Sequence, residues 1–347
     1  MKNSKHKLFL VTTGLVAAVL LLAAGNKQGS TPLAFPQPAN FPPPVYRMES
    51  NPLTKEGFEL GRKLFYDPLL SRDGSISCAT CHIQGSAFTH HGHDVSHGID
   101  DELGFRNAPP VMNLAWSRYF FWDGGVFDLD LFPVAPIENP VEMDEKMPNV
   151  IRKLKKDKQY PFLFQQAFGP GEITSVHMLQ ALSQFMLLCI SADAKYDKVV
   201  RNEGAVFTAE EAAGLAVFKA KCASCHSSDL FTDQKFHNTG LEPSLFRDSG
   251  RFRITLNPAD WYAFKTPSLR NVLKTAPYMH DGRFYTLNAV YEHYDHGLQD
   301  SPGLDPELRK SGTKGIPLSA EERNLLTAFL ATLTDEQFIR NAQFSEQ

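Results

Sequence analysis

The sequence predicts a mostly α-helical, loop-rich protein made of two related domains, with few β-strands. Apolar residues recur at helical spacing, and capping-box pairs precede two such segments, at Thr208 with Glu211 and at Ser319 with Glu322. The 23 glycines and 23 prolines among 347 residues indicate many loops. A faint internal repeat indicates two related units, because similar residues precede two Cys-x-x-Cys-His motifs, CATCH and CASCH.

Length and composition allow two domains and exclude some partners. The chain can bury two cores, and its 42% hydrophobic and 21% charged residues are typical of a soluble globular protein. The net charge is −4 and no basic stripe is present, so we expect no nucleic-acid partner. The repeat places a first domain at residues 53–201 and a second at residues 202–347, after a proline-rich leader at residues 26–52.

Residues 1–25 have the layout of a secretory signal peptide. Three lysines precede an almost wholly apolar run at residues 8–22, and small residues follow it. This run is short for a membrane span, so we expect export to the periplasm and no stable span. An uncleaved anchor is the alternative.

The two Cys-x-x-Cys-His motifs predict two covalently attached c-type haems, in two cytochrome c-like domains. The motif residues are Cys78, Cys81 and His82 in the first domain and Cys222, Cys225 and His226 in the second. Two thiols three positions apart can bond to the two vinyl groups along one porphyrin edge, and the adjacent histidine meets the iron. A zinc site or a redox dithiol is the alternative, but neither domain has a second thiol pair. The fifth cysteine, Cys189, is predicted to pack in the core.

The sixth ligand decides whether each iron carries electrons or binds peroxide. Downstream of the first motif lie four histidines: His90, His91, His93 and His97. We favour His97 as the distal ligand, with solvated surface histidines or an adventitious metal site as the alternatives. Downstream of the second motif, spacing does not separate five candidates: Met279, His280, His293, Tyr294 and His296.

Peroxide cleavage also needs a group that moves a proton between the two oxygens, and a carboxylate with a raised pKa suits this task. Glu142 is the candidate, although its position beside Asp144 and Glu145 by itself favours a surface acid. Trp116 and Trp122 lie in an aromatic run, which indicates either core packing or an electron relay between two redox centres.

These residues resemble the bacterial dihaem cytochrome c peroxidases, including the MauG branch, over residues 53–333. Several long motifs carry the resemblance in the same order: LGRKLFYDPLLSRDGSISCATCH, FRNAP, FWDG, PI with PVEM, CASCH and FKTPSLRNVLKTAPYMHDG. The resemblance implies that the His82 haem is peroxidatic and that the His226 haem passes electrons to it. It further implies that Trp122 lies between the haems, that Glu142 is the acid–base group and that Pro136 lines the distal pocket.

The resemblance also implies a calcium ion at the domain interface, since the family's ligand positions hold oxygen donors here. These positions are Asn107, Thr275 and Pro277. One amide and two backbone carbonyl oxygens, completed by waters, are ligands that suit calcium.

Four further positions select a branch or depart from the family pattern. Fourteen residues after His280, where conventional peroxidases have an axial methionine, this chain has Tyr294, as in the MauG branch. Phe132 replaces the distal glutamine and Gly125 replaces an arginine. His97 approximates the slot of the displaceable distal histidine.

The sequence therefore predicts a periplasmic dihaem peroxidase that reduces hydrogen peroxide with electrons from a small cytochrome or copper protein. Two alternatives stay open: a MauG-like oxidase that uses peroxide to oxidise residues of a partner protein through high-valent haem, and a non-catalytic electron carrier. Tyr294 favours the oxidase, whereas Phe132 weakens both catalytic interpretations. A homodimer also stays open.

Overall fold

The computed structural model describes residues 30–243, 248–301, 303–310 and 312–347. The predicted signal peptide at residues 1–25 lies outside these ranges. Across the ranges described, no helix combines the length and the apolar character needed to cross a membrane.

The described residues form a mostly helical, loop-rich fold with one small sheet, which confirms the predicted fold class. The α-helices are α1 (Lys55–Tyr66), α2 (Cys78–Cys81), α3 (Val134–Glu138), α4 (Met147–Lys156), α5 (Tyr160–Phe168), α6 (Ser175–Leu188), α7 (Lys195–Val200), α8 (Ala209–Lys221), α9 (Phe252–Thr255), α10 (Leu287–Glu292), α11 (Ala320–Ala331) and α12 (Glu336–Arg340). Strands β1 (Phe236–His237) and β2 (Phe264–Lys265) pair antiparallel, with Phe236 opposite Lys265. A π-helix, His293–Gly297, continues α10. Short 3₁₀ helices lie at Met48–Ser50, Pro68–Leu70, Gln84–Ser86, Ile99–Asp101, Leu114–Trp116, Pro258–Asp260, Val272–Lys274, Pro306–Arg309 and Ala342–Phe344.

Both predicted capping boxes are confirmed. The Thr208 hydroxyl accepts from the Glu211 backbone N–H (3.2 Å), while the Glu211 carboxylate accepts from the Thr208 N–H (2.7 Å). Ser319 and Glu322 make the same reciprocal pair at 3.2 and 2.9 Å. These bonds satisfy donors that the first turn of a helix leaves without partners, and so they fix where α8 and α11 begin.

In each half, the helix that precedes the haem motif crosses a later helix at a glycine. A Cβ atom on Gly61 of α1 would lie 1.8 Å from the carbonyl oxygen of Ala181 in α6. A Cβ atom on Gly214 of α8 would lie 2.0 Å from the carbonyl oxygen of Leu325 in α11. Only glycine permits such a close approach, so the repeat seen in the sequence corresponds to a shared helix crossing.

The first core also receives the end of the chain. Phe338 of α12 packs against Phe88 with ring centroids 5.6 Å apart, and Phe344 is buried in the same core. Asp335 holds the start of this segment against the first half, because its carboxylate accepts from the Ser191 hydroxyl (3.2 Å). Residues 338–344, which the repeat assigns to the second domain, therefore pack on the first. Cys189 is fully buried there, as predicted.

A buried ion pair joins the two halves. Arg270 and Asp197 are both fully buried and share two hydrogen bonds, of 2.9 and 2.7 Å. The guanidinium also lies 4.5 Å from the centre of the Phe41 ring. A buried pair keeps its charges only when both partners are hydrogen-bonded, and here they are.

Candidate functional site: two haem-binding motifs and the cavity between the halves

The first Cys-x-x-Cys-His motif presents its histidine for ligation. Cys78 and Cys81 bound the single turn of α2, and His82 follows it directly. The His82 Nδ1 atom lies 2.8 Å from the Phe88 carbonyl oxygen, which only accepts hydrogen bonds. The proton of the neutral ring is therefore on Nδ1, and Nε2 keeps a lone pair for a metal. Burial lowers the pKa of His82, which favours this neutral form.

The second motif repeats this arrangement. The Nδ1 atom of His226 lies 3.1 Å from the Phe231 carbonyl oxygen, and burial lowers the pKa of His226. Phe88 and Phe231 both have left-handed backbones, with φ of 60° and 54°. Both histidines are thus held by the same type of turn, with Nε2 left for iron.

The chemistry of the cysteines fits covalent haem. All five cysteines are free of disulfide bonds, and burial raises the pKa of Cys222 to about 12 and of Cys225 to about 11. Such thiols stay protonated and make poor redox dithiols. Within the described ranges, no group of three or more His, Cys, Asp or Glu side chains is arranged for a metal ion. The zinc alternative therefore has no support among these residues.

A cavity of about 680 Å³ lies over the second motif. Its size falls within the range of cofactor pockets, roughly 300–1,000 Å³. Cys222, Cys225 and His226 line it, together with Tyr294 and His280. The residues present therefore fit a haem that is bonded through the two thiols and ligated by His226.

The structure separates the candidates for the sixth ligand of the second haem. His293 donates from Nε2 to the Thr239 carbonyl oxygen (2.9 Å), and His296 is exposed beside Asp295. Tyr294, Met279 and His280 line the cavity. Tyr294 lies in the π-helix, and such helices are frequent at functional sites. Burial, together with the thiols of Cys225 and Cys222, raises the pKa of Tyr294.

His280 competes with Tyr294. Its ring is buried and stacks on Phe264 with centroids 3.6 Å apart, and its Nε2 atom has no hydrogen-bond partner among the described residues. Burial lowers the pKa of His280 to about 4. A neutral imidazole whose nitrogen makes no hydrogen bond is a competent haem ligand, so geometry alone leaves Tyr294, His280 and Met279 as candidates.

Glu142 lies beside the first motif. It is partly buried, and burial raises its pKa. Its charge also raises the pKa of the Cys81 thiol, which places the carboxylate near the haem attachment site. Its neighbours differ, because Asp144 pairs with Arg72 and Glu145 pairs with a lysine. Glu142 itself has no ion pair in the described part of the chain.

Pro136 and Phe132, the other residues predicted to lie near the first haem, are held by local contacts. The Pro136 carbonyl oxygen accepts from the Met143 N–H (3.2 Å), which closes the turn that carries Glu142. Phe132 is buried, with its ring 4.7 Å from that of Phe121 and 5.3 Å from that of Phe120. Phe132 therefore belongs to an aromatic cluster with Phe120 and Phe121.

The backbone of His97 lies beside the first motif, and its ring packs on neighbouring histidines. Its carbonyl oxygen lies 3.6 Å from Cys81 Sγ. The imidazole instead lies 3.4 Å from Asp101 and packs against His93, with ring centroids 4.5 Å apart. His93 in turn stacks on His90 at 4.2 Å. Ligation by His97 stays a prediction that needs its ring to turn away from these partners.

Trp122 contacts both halves. Its indole Nε1–H donates to the Asn107 carbonyl oxygen (2.8 Å), and its own carbonyl oxygen accepts from the Lys265 N–H (2.8 Å). The side chain lines the large cavity and also a smaller one of about 80 Å³ that Phe132 borders. Trp116, by contrast, is fully buried and donates to the Pro42 carbonyl oxygen (2.6 Å), which is core packing.

The loop after Trp122 is held by an arginine from elsewhere in the chain. The Arg251 guanidinium donates to the carbonyl oxygens of Asp123 (2.8 Å) and Gly124 (2.9 Å). Arg251 thus supplies a cation to this loop from the second half. No sequence pattern indicated this contact, because the two positions lie far apart.

The three predicted calcium ligands line the same cavity. Asn107, Thr275 and Pro277 all border the 680 Å³ space. The Asn107 amide donates to the carbonyl oxygens of His93 (3.3 Å) and Asp94 (3.1 Å). The calcium ion itself stays a prediction.

Two buried histidine–thiol sites, duplicated in a helical and loop-rich fold, define a dihaem c-type cytochrome. Comparison with known families makes the assignment specific. The family model for di-haem cytochrome c peroxidase matches residues 55–205, and that for cytochrome c matches residues 211–334. The chain belongs to the di-haem cytochrome c peroxidase (MauG) family, and it is a peroxidase-type oxidoreductase with two c-type haems.

Individual relatives agree with this assignment. The chain is 38% identical to methylamine utilization protein MauG of Methylorubrum extorquens, over 94% of this chain and 91% of that one. It is 32% identical to cytochrome c551 peroxidase of Nitrosomonas europaea, over 80% of each. The crystal structure of a MauG-like protein associated with microbial copper homeostasis superposes with a TM-score of 0.80 at 34% identity, covering 90% of this chain and 99% of that one. The family and the enzyme class predicted from the motifs are confirmed.

Proposed function

We propose that the protein reduces hydrogen peroxide at the haem held by His82, with Glu142 as the acid–base group. The observation that carries this proposal is the Glu142 carboxyl group, which is partly buried, close to Cys81 and without a cationic partner in the described ranges. When bound, the haem iron supplies the position for a peroxide oxygen and the electrons that reduce it. A carboxylate with a raised pKa can take a proton from one oxygen and return it to the other.

We further propose that electrons reach this site from the haem held by His226, past Trp122. The indole is fixed by its hydrogen bond to the Asn107 carbonyl oxygen, and its backbone is fixed by Lys265. A rigid aromatic ring that lines both cavities is well placed for a relay, because it lies between the two halves and needs no rearrangement.

A second candidate function is peroxide-driven oxidation of residues of a partner protein, and Tyr294 favours it. Its phenol lines the cavity with His226, and a phenolate ligand stabilises oxidised iron. Similarity to MauG proteins supports the same alternative. Phe132 does not distinguish the peroxidase from the oxidase, because it borders the first site in either function.

We also propose that the protein works in the periplasm and that Asn107, Thr275 and Pro277 hold a calcium ion. The signal-like residues 1–25 support the location. The shared cavity lining supports the ion, as oxygen donors suit calcium.

The test of the main function is the stoichiometry of turnover with a reduced small cytochrome or copper protein as donor. Reduction of one peroxide to two waters takes two electrons and two protons, so two one-electron donors should be oxidised per peroxide. That ratio supports the peroxidase. Peroxide consumption without donor oxidation, together with oxidised residues in an added partner protein, would favour the second candidate.

A further inference from the structure

Lys265 occupies a distinctive place at the junction of the two halves. Two reciprocal backbone bonds join them: the Lys265 N–H donates to the Trp122 carbonyl oxygen (2.8 Å), and the Asn107 N–H donates to the His280 carbonyl oxygen (2.7 Å). Lys265 and Asn107 each lie two residues before a proline, Pro267 and Pro109. They therefore hold equivalent positions in the two halves, one as a cation and the other as an amide.

Lys265 lines both the large and the small cavity, and its ammonium has no carboxylate partner among the described residues. The residue is partly buried, and Nζ donates to the Tyr119 carbonyl oxygen (3.0 Å). Burial lowers its pKa to about 8. An ammonium that loses water and gains only a neutral acceptor is costly to the fold, which favours an anion beside it.

The other cations that line the large cavity do not share this property. They either have a carboxylate partner in the chain or point into solvent. The paired groups are Lys221 with Glu322, Lys310 with Glu307, and His237 with both Asp233 and Asp305, while Lys219 is exposed. Lys265 is thus the interior cation, in the described lining, that still lacks a counter-charge.

We propose that Lys265 binds the propionate carboxylates of the haem attached to Cys222 and Cys225. This haem is tied to the chain along its vinyl edge, so its anionic propionate edge stays free to meet a cation elsewhere in the same cavity. The ammonium then gains a charge-assisted hydrogen bond in a site with little water. The inference rests on the two covalent haems and not on the roles proposed for Glu142 or Tyr294.

This contact has two consequences for the second haem. The ammonium partly neutralises the carboxylates, so the haem carries less negative charge. Its ferrous form is therefore more stable than it would be with unpaired propionates. The haem is also anchored to the strand residue whose backbone holds Trp122, so its edge keeps a fixed position relative to the indole. Lys265 is accordingly a cofactor-binding and positioning residue.

The experiment compares Lys265→Gln, Lys265→Arg and Lys235→Gln in the holoprotein. Glutamine keeps a donor for Tyr119 but removes the charge, and arginine keeps the charge. Lys235 is an exposed lysine just before β1, and its carbonyl oxygen accepts from the Thr266 N–H (2.9 Å), so its variant removes the same charge from a neighbouring segment. The readouts are the reduction potentials of the two haems and the propionate bending vibrations in resonance Raman spectra.

We expect Lys265→Gln to lower the potential of the second haem and to shift its propionate vibrations, because loss of a nearby cation favours ferric iron. Lys265→Arg should restore most of both signals, and Lys235→Gln should change neither. If Lys265→Gln leaves both the potential and the vibrations at wild-type values while the haems stay bound, the proposed contact is wrong. Since none of these readouts requires peroxide turnover, a failure of the proposed peroxidase function would be seen separately.

Discussion

Trp122 and His280 occupy equivalent positions in the two halves of the molecule. Each lies in a turn closed by an antiparallel bridge, Phe120 with Val126 in the first half and Tyr278 with Phe284 in the second. Each follows a residue with positive φ, and each precedes an Asp-Gly pair whose glycine has φ of 67°. The backbone frame is therefore duplicated.

The side chains in this shared frame differ in chemistry. The indole of Trp122 has its only donor satisfied by Asn107, whereas the imidazole of His280 keeps a nitrogen without a partner in the described ranges. The same contrast extends to the surroundings, since a carboxylic acid, Glu142, lies beside the first motif and a phenol, Tyr294, lies over the second. A repeated fold thus carries two different redox sites, and a few substitutions can test where the difference lies.

The largest expected effect concerns the acid that only the first half has. Glu142→Gln keeps shape and hydrogen bonding but cannot accept a proton, so the rate of reaction with peroxide should fall by about 10² to 10⁴ with both haems bound. Stopped-flow mixing with peroxide measures it. Glu138→Gln, at a partly buried acid that pairs with Lys146, is the matched control and should react at the wild-type rate. An undiminished rate in Glu142→Gln would make Glu142 a structural or surface acid.

The second effect concerns the ligand over the second motif. Tyr294→Met should raise the potential of the second haem, because a thioether favours ferrous iron and a phenolate favours ferric iron, within the span of about 0.8 V that axial ligands set. Spectroelectrochemical titration of both proteins gives the potentials. Tyr285→Met, at an exposed tyrosine, is the control. Equal potentials and unchanged ligand-to-metal bands in Tyr294→Met would leave His280 or Met279 as the ligand.

The third effect tests whether the two equivalent helix crossings contribute equally to the free energy of unfolding. Gly61→Ala and Gly214→Ala should each lower the free energy of unfolding by about 1–3 kcal/mol or more, because the added methyl would overlap a backbone carbonyl. Gly85→Ala is the control, since nothing lies within 4 Å of a Cβ atom there. Chemical denaturation of the holoprotein measures all three. If Gly61→Ala and Gly214→Ala lower the free energy of unfolding no more than Gly85→Ala does, the crossing helices can move apart at little cost.

The smallest effect is the pH dependence of the first site. Burial raises the folded-state pKa of Glu142 above its ordinary value of 4.5, so the carboxylate needed to accept a proton is lost as the pH falls through that higher value. The acid limb of the rate profile should therefore have its midpoint above 4.5. This limb should vanish in Glu142→Gln. A midpoint at or below the ordinary value would place the carboxyl group in water.

Sequence patterns predicted those features that depend on residues close together in the sequence or on hydrophobicity. The capping boxes at Thr208 and Ser319, the burial of Cys189 and the helical repeat depend on residues close in sequence or on hydrophobicity, and all are present. The haem motifs are equally local, because two thiols and a histidine span five residues. The family motifs then added the enzyme class.

The choice of haem ligand and the positions of several site side chains depend on contacts between segments that are distant in sequence. Spacing could not separate His280 from His293, and only the bond from His293 to Thr239 removes the latter as a ligand. Nor could spacing show that the His97 ring packs on other histidines, or that Arg251 holds the loop at Asp123 and Gly124. One signal was overlooked: Pro109 and Pro267 each precede, by four residues, an asparagine with a left-handed backbone. Extending the repeat through these prolines would have aligned Lys265 with Asn107.

The return of the last helix to the first core bears on how the protein is made. Phe338 and Phe344 complete a hydrophobic core whose other buried members, apart from Ile339 and Leu230, come from the first half of the chain. During synthesis the amino-terminal half emerges first, and it must wait for the final residues before its core is closed. The first haem motif depends on this closure, because Phe88, whose carbonyl oxygen holds His82, packs against Phe338. Truncation before α12 would thus be expected to damage the haem site farthest away in sequence, and not the one nearest the cut.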